Sequence, residues 1–151
     1  MSVNPLDTKT IFLARHAQHV VLIHFPIALF MVGVAFDFIA QWTKSGTLAM
    51  AAYFNLFVAA VFTVPTVATG LVAWQWALEG RKLKGILLGH LVLGLVSSLL
   101  IWIVSYIHWR ARRLRADSLP AYRLPIEAIT VPVVGLTGHL GGFLSGVNVS
   151  G

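Results

Sequence analysis

Residues 19–42 read HVVLIHFPIALFMVGVAFDFIAQW. Behind the opening histidine, only His24, Asp37 and Gln41 interrupt the run with strongly polar side chains. About 20 consecutive apolar residues make an α-helix long enough to cross the hydrocarbon core of a bilayer. Three more stretches qualify, at about 48–78, 84–108 and 125–149. The links between them are Thr43-Lys44-Ser45-Gly46, Glu79-Gly80-Arg81-Lys82 and the longer RARRLRADSLPAYR of residues 110–123. Short links make sequential helices antiparallel neighbours. Within lipid, backbone polar groups must be satisfied inside helices or closed barrels. The fold class that follows is all-α: an integral-membrane, four-helix antiparallel bundle over residues 19–151, preceded by a polar segment, 1–18. Within that segment DTKTIFLARHAQ (residues 7–18) is weakly amphipathic and fits a short interfacial helix or a mobile leader equally well.

Composition agrees with the spans. Of 151 residues, 58% are hydrophobic and 11% charged, against about 25% charged in soluble domains. The mean hydropathy is +0.83. The first apolar run outlasts the 7–15 residues of a signal-peptide core, so it reads as a permanent helix. The net charge of +6 sits on lysines and arginines that flank the spans, which makes it a topology signal and excludes nucleic acid as a partner. The chain has no cysteine. Disulfides, thiolate zinc sites, iron–sulfur clusters and thioether-linked haem are therefore excluded.

Orientation rests on five basic residues against six. Lys9, Arg15, Arg81, Lys82 and Lys84 share one face; Lys44, Arg110, Arg112, Arg113, Arg115 and Arg123 share the other. The cluster following the third span decides it, since charges close to a span count most. That places the cluster in the cytoplasm and both termini outside a bacterial inner membrane. Trp42, Trp74, Trp76 and Trp109 fall near span ends, as aromatic belt residues do.

Against this frame three histidines stand out. His24, His90 and His139 lie in the first, third and fourth spans, and alternation of direction brings them to one layer. At about 1.5 Å per residue they sit about 7–15 Å from the outer face. His19 lies at the mouth of the same layer and His16 just outside. Ionisable residues inside a bilayer mark functional sites by default. Neutral imidazole is the commonest protein ligand for metals, and haem takes axial ligands from facing helices. Gly89, Gly138 and Gly142 clear bulk beside the histidines, although small-x-x-x-small spacing equally serves plain helix packing. The histidine set (His19, His24, His90, His139) reads first as a cofactor site holding one b-type haem or two. The next readings are structural or proton-relay histidines, and then a bare metal ion. His24 with His90 is the first choice of axial pair. His139 and His19 are a second pair, or partners of the first.

The remaining polar residues read as structural. His108 belongs to the opposite interface. Asp37 and Glu127 fall toward the arginine-rich face and are expected to pair with Arg110 to Arg115. Pro26, Pro65 and Pro132 are expected to kink their helices and free carbonyls. No hydrolase elbow, P-loop, dinucleotide fingerprint or H-E-x-x-H motif is present, so the chain does not read as an enzyme on its own.

The opening segment resembles a widespread bacterial membrane family, domain-of-unknown-function family 2231, whose members begin with an H-P-x-x-V-H-F-P-I-A-L type of motif. His19 and His24 match its two histidines, Phe25-Pro26-Ile27-Ala28-Leu29 the signature after them, and Phe36-Asp37 a later pair. Thr137-Gly138-His139-Leu140-Gly141-Gly142, with Gly146-Val147, resembles the family's other end, and His90 fits a histidine in its third span. Val20 stands where the family has proline, and the tail ends soon after Gly146. The resemblance implies a four-helix membrane fold. The association of some relatives with c-type cytochrome modules implies electron transfer on the outer side. The leading expectation is therefore a haem-bearing electron-transfer subunit of a larger respiratory or photosynthetic complex, with lipid, neighbouring subunits, a quinone or a c-type cytochrome as partners. Two alternatives stay open. One is a structural or assembly subunit that binds a chlorophyll-type pigment or nothing. The other is a small metal or proton transporter.

Overall fold

A computed structural model describes residues 15–77, 80, 82–114 and 118–146, with the side chains of 15–17 and 77 excepted. Four long helices carry it, and among the described residues there is no strand. Helix α1 spans Arg15–Thr43, α2 Gly46–Val72, α3 Gly85–Arg113 and α4 Arg123–Leu144. All four are long and apolar enough to cross a membrane. Helix α1 begins four residues ahead of the sequence-based boundary. Residues 1–14, including most of the expected interfacial segment, lie outside the described residues, as do 147–151. Helix α3 runs on past His108 to Arg113, because arginine is a good helix former and its head reaches water from a helical stem. Helix α4 starts at Arg123, two residues ahead of the expected 125–149, and ends at Leu144, five residues short of its end.

The turns follow local chemistry. Lys44 adopts φ 55°, the left-handed conformation that ends a helix. Ser45 then caps α2, its hydroxyl accepting from the Leu48 amide at 3.3 Å. At its far end α2 widens into a π-turn, Ala73–Ala77, a form concentrated at functional sites. The Trp74 carbonyl there accepts from the Gly80 amide, whose φ of 60° suits glycine.

Helix α1 packs most extensively on α2, α3 on α4, and α2 closes the ring against α3. Cross-helix contacts fix the antiparallel sense. His19 at the start of α1 reaches Thr66 near the end of α2, and His90 near the start of α3 reaches Thr137 near the end of α4. The tightest approach is at Gly33, where an added methyl would lie 2.9 Å from the Leu56 side chain and 3.2 Å from its backbone nitrogen. Pro26 removes an amide from the α1 ladder. The Leu22 carbonyl it would have bonded instead lies 3.4 Å from the Thr66 hydroxyl of α2. The freed carbonyl thus contributes to helix association.

The interior has three layers. Phe30, Val34, Leu56, Ala59, Ala60, Ile101, Val104 and Val134 form an apolar middle. Buried Thr63 and Thr130 at this depth bond back to carbonyls of their own helices, at 2.6 and 2.7 Å, so they open no polar track. One end holds the histidine cavity and the other a buried ionic cluster. Less than a third of each apolar window is buried within the chain, and large side chains such as Leu99, Ile129 and Val64 point outward. That outer surface is the face that contacts lipid.

Candidate cofactor site

The inward face of each helix is legible from its buried residues. In α1 these include Pro26, Phe30, Gly33 and Asp37, and a step of seven back from Pro26 reaches His19. In α3 Ser97 and Ile101 are buried, and seven back from Ser97 is His90. In α4 Glu127, Thr130 and Val134 are buried, and the same stripe continues to Thr137 and Gly141. The start of α1 and the start of α3 are thus aimed into one space. It is a cavity of about 760 Å³ lined by parts of all four helices, within the usual range for small-molecule sites. Ile27, Leu87, Ile101 and Val134 make it mainly apolar; His19, His24, His90 and Trp74 line it, as do the exposed Lys82 and Lys84.

The rings of His19 and His90 meet there, with centres 6.3 Å apart and planes at 75°. Each is fixed from behind. His19 Nδ1 donates to the Thr66 carbonyl at 3.1 Å, with the Thr69 hydroxyl 3.3 Å away. His90 Nδ1 donates to the Thr137 carbonyl at 3.1 Å. A carbonyl can only accept, so the proton of the neutral ring sits on Nδ1 and the lone pair on Nε2. This is how metal-binding histidines are oriented. Each ring also lies over a glycine of a neighbouring helix. A methyl on Gly70 would come within 2.9 Å of His19 Cε1, and one on Gly141 within 3.1 Å of His90 Cε1.

The other histidines take different places. His24 also lines the cavity but is exposed, its Nδ1 donating to the Val20 carbonyl of its own helix at 2.7 Å. His139 is exposed and stands edge-on against Phe143, ring centres 5.0 Å apart. His16 lies outside the described side chains. Gly138 and Gly142 line the cavity. Gly89 and Gly138 also sit at helix contacts, where an added methyl would meet Leu140 at 3.4 Å and Ile27 at 3.5 Å. The sequence reading did not single out Gly70 and Gly141, which seat the two rings. Their signal was spacing: Gly70 lies four residues after Thr66, and Gly141 four after Thr137, the residues whose carbonyls hold the rings. Substituting valine at either position is expected to displace the ring beneath it and to weaken any metal held by that ring by about 10–100-fold, the usual cost of disturbing a ligand's support. Titration of each variant with a metal or metalloporphyrin reads this directly.

At the opposite end the expected ion pairs are corrected. Among the described residues Asp37 pairs not with Arg110, Arg112 or Arg113 but with Arg123, its Oδ2 accepting from Arg123 Nε at 2.8 Å, with both side chains buried; Arg115 lies outside the described residues. Arg123 also donates to Gln41 Oε1 at 3.0 Å and to the Leu119 and Pro120 carbonyls. Glu127 pairs with His108, Nε2 to Oε1 2.8 Å. His108 is no interfacial residue, being 1% exposed. The physical reason is the length of α3: five further residues put His108 inside the helix, facing α4. Arg110, Arg112 and Arg113 remain exposed, with Arg112 over the Tyr53 ring and Arg113 over Trp109.

A family profile described as "Predicted membrane protein (DUF2231)" matches residues 15–149. No curated protein and no solved structure matches.

Proposed function

The chain belongs to the DUF2231 family of predicted membrane proteins, and from that premise and its cavity we propose that it is a b-type cytochrome-like subunit, holding a haem between His19 of α1 and His90 of α3. The observation that carries the reading is the ring separation. Two imidazoles on opposite sides of one ion, each with a metal–nitrogen bond of about 2.0–2.1 Å and about 1.2 Å from nitrogen to ring centre, have centres about 6.4 Å apart. His19 and His90 stand at 6.3 Å. Haem iron carries four nitrogens of its own and needs only two from the protein. The apolar walls suit the porphyrin body. Lys82 and Lys84, exposed in the cavity lining, suit its two carboxylates. Bound there, haem supplies one-electron transfer.

The residues around it bind and insulate. The Thr66 and Thr137 carbonyls hold the ligand tautomers. The apolar middle layer separates the cavity from the far end, which suits a carrier confined to one side better than a path through the membrane. We place the cavity on the outer side of a bacterial inner membrane, because the exposed Arg110, Arg112 and Arg113 crowd the other end. There it would exchange electrons with a quinone or a c-type cytochrome inside a larger complex. A second reading, a non-redox subunit, is favoured by one observation. The apolar window of α3 is only 11% buried, leaving a broad face for a neighbouring subunit or lipid.

Visible spectra of detergent-purified protein, oxidised and then dithionite-reduced, separate the two. A Soret band with an α band that sharpens on reduction is expected. A colourless preparation that takes up no added haem would overturn the cytochrome reading in favour of the second.

A further inference from the structure

The ionic cluster at the arginine-rich end takes no part in the proposed haem site. It draws on three helices: Asp37 from α1, His108 from α3, and Arg123 and Glu127 from α4. Asp37 and His108 are each 1% exposed and Glu127 is 0% exposed. One candidate ligand atom from each of Asp37, His108 and Glu127 lies within 4.8 Å of the others. Atoms bound to one ion at about 2.0–2.2 Å stand at most about 4.4 Å apart, so side-chain shifts of a few tenths of an ångström would close the set.

A second observation concerns Glu127 alone. Its Oε1 contacts His108, but its Oε2 is buried and has no hydrogen-bond partner among the described residues. Moving the proton of the His108–Glu127 pair does not cure this. With the proton on His108 Nε2 or on Glu127 Oε1, Oε2 stays a bare acceptor; an O–H on Oε2 itself would find no acceptor among the described residues. Buried polar atoms with no partner are rare and ask for an ion or a water.

We propose that Asp37, His108 and Glu127 form a binding site for one divalent first-row transition-metal ion, separate from the histidine cavity. One imidazole and two carboxylates suit zinc, manganese or iron(II). The imidazole disfavours magnesium and calcium, and the lack of sulfur disfavours copper(I). Arg123, bonded to Asp37 Oδ2, orients that carboxylate from outside the ligand set and offsets one negative charge. Ligand oxygens and nitrogens must shed protons to bind, so affinity falls as pH falls. Among the described residues the ionisable groups facing the site are those four, and the neutral Gln41 lies beyond Arg123.

The test is zinc titration of chelator-stripped full-length protein by calorimetry, with X-ray absorption at the zinc edge of the loaded wild type. One tight equivalent is expected in the wild type. Glu127→Gln, an isosteric change that keeps an oxygen toward His108, is expected to lose it, and His19→Ala to keep it. The absorption spectrum is expected to show one imidazole among oxygen ligands. The proposal is overturned if the wild type binds no zinc, if Glu127→Gln binds it equally well, or if the zinc is held by two or more imidazoles. The last outcome would place it in the cavity. None of these readouts depends on whether haem binds at His19 and His90.

Discussion

Replacing His90 with alanine is expected to abolish the haem spectrum, and replacing His19 is expected to do the same or to leave a high-spin, five-coordinate pigment. The two rings meet with centres 6.3 Å apart and planes at 75°, and are each tied through Nδ1 to a carbonyl of a different helix. Neither can be replaced from within its own helix. His24 bonds to its own helix at Val20, and His139 packs on Phe143. Alanine at His24 or His139 is therefore expected to leave the axial spectrum in place. Added imidazole should restore a low-spin spectrum to the alanine variants, because the lost ring leaves a space of its own shape. Unchanged spectra in both His19→Ala and His90→Ala would remove this axial pair from consideration. Loss in His24→Ala but not in His19→Ala would move the site one face round α1.

That last contrast shows what could be read from the sequence. Depth was legible: four apolar runs with short links fix alternating directions, and counting along them brings the histidines to one layer. The facing of each side chain was harder. His19 and His24 are five residues apart, about 140° around a helix of 3.6 residues per turn, so both cannot point to the bundle axis. The choice follows from which stripe packs. In a membrane helix the lipid face is as apolar as the core, so hydrophobic periodicity does not announce it. The informative residues are the small and polar ones. Pro26, Gly33 and Asp37 share a stripe with His19, as Ser97 does with His90. His139 lies five residues beyond Val134 and falls outside its stripe. The buried cluster escaped for a related reason. Asp37, His108 and Glu127 were assigned by distance from the helix ends to the interface, where arginines abound. Helix α3 overruns the apolar stretch, and all three side chains turn inward.

Removing Arg123 is expected to be the most destabilising single change in the bundle. Its guanidinium bonds Asp37, Gln41 and two loop carbonyls, and it is 2% exposed. Arginine is suited to this because its planar fork can serve several acceptors at once. In Arg123→Ala the Asp37 carboxylate stays buried with no cation, and the neighbouring Glu127 gains a like charge without its counterweight. Breaking a buried pair by removing one partner costs about 3–5 kcal/mol, far more than the pair's net contribution. Thermal unfolding in detergent should show a drop of that order for Arg123→Ala. Arg123→Lys should fall between, since an ammonium restores the charge without the fork. The double variant Asp37→Asn/Arg123→Ala should be more stable than the sum of its parts, because the orphaned charge is gone. Additive losses would mean that Asp37 and Arg123 act independently, and that the loop carbonyls rather than the carboxylate account for the cost. Whatever the size of the loss, the histidine cavity should be affected only through global unfolding. The apolar layer of Phe30, Leu56, Ile101 and Val134 lies between the two ends, and a haem spectrum that survives below the melting point of Arg123→Ala would show that the two sites are energetically distinct.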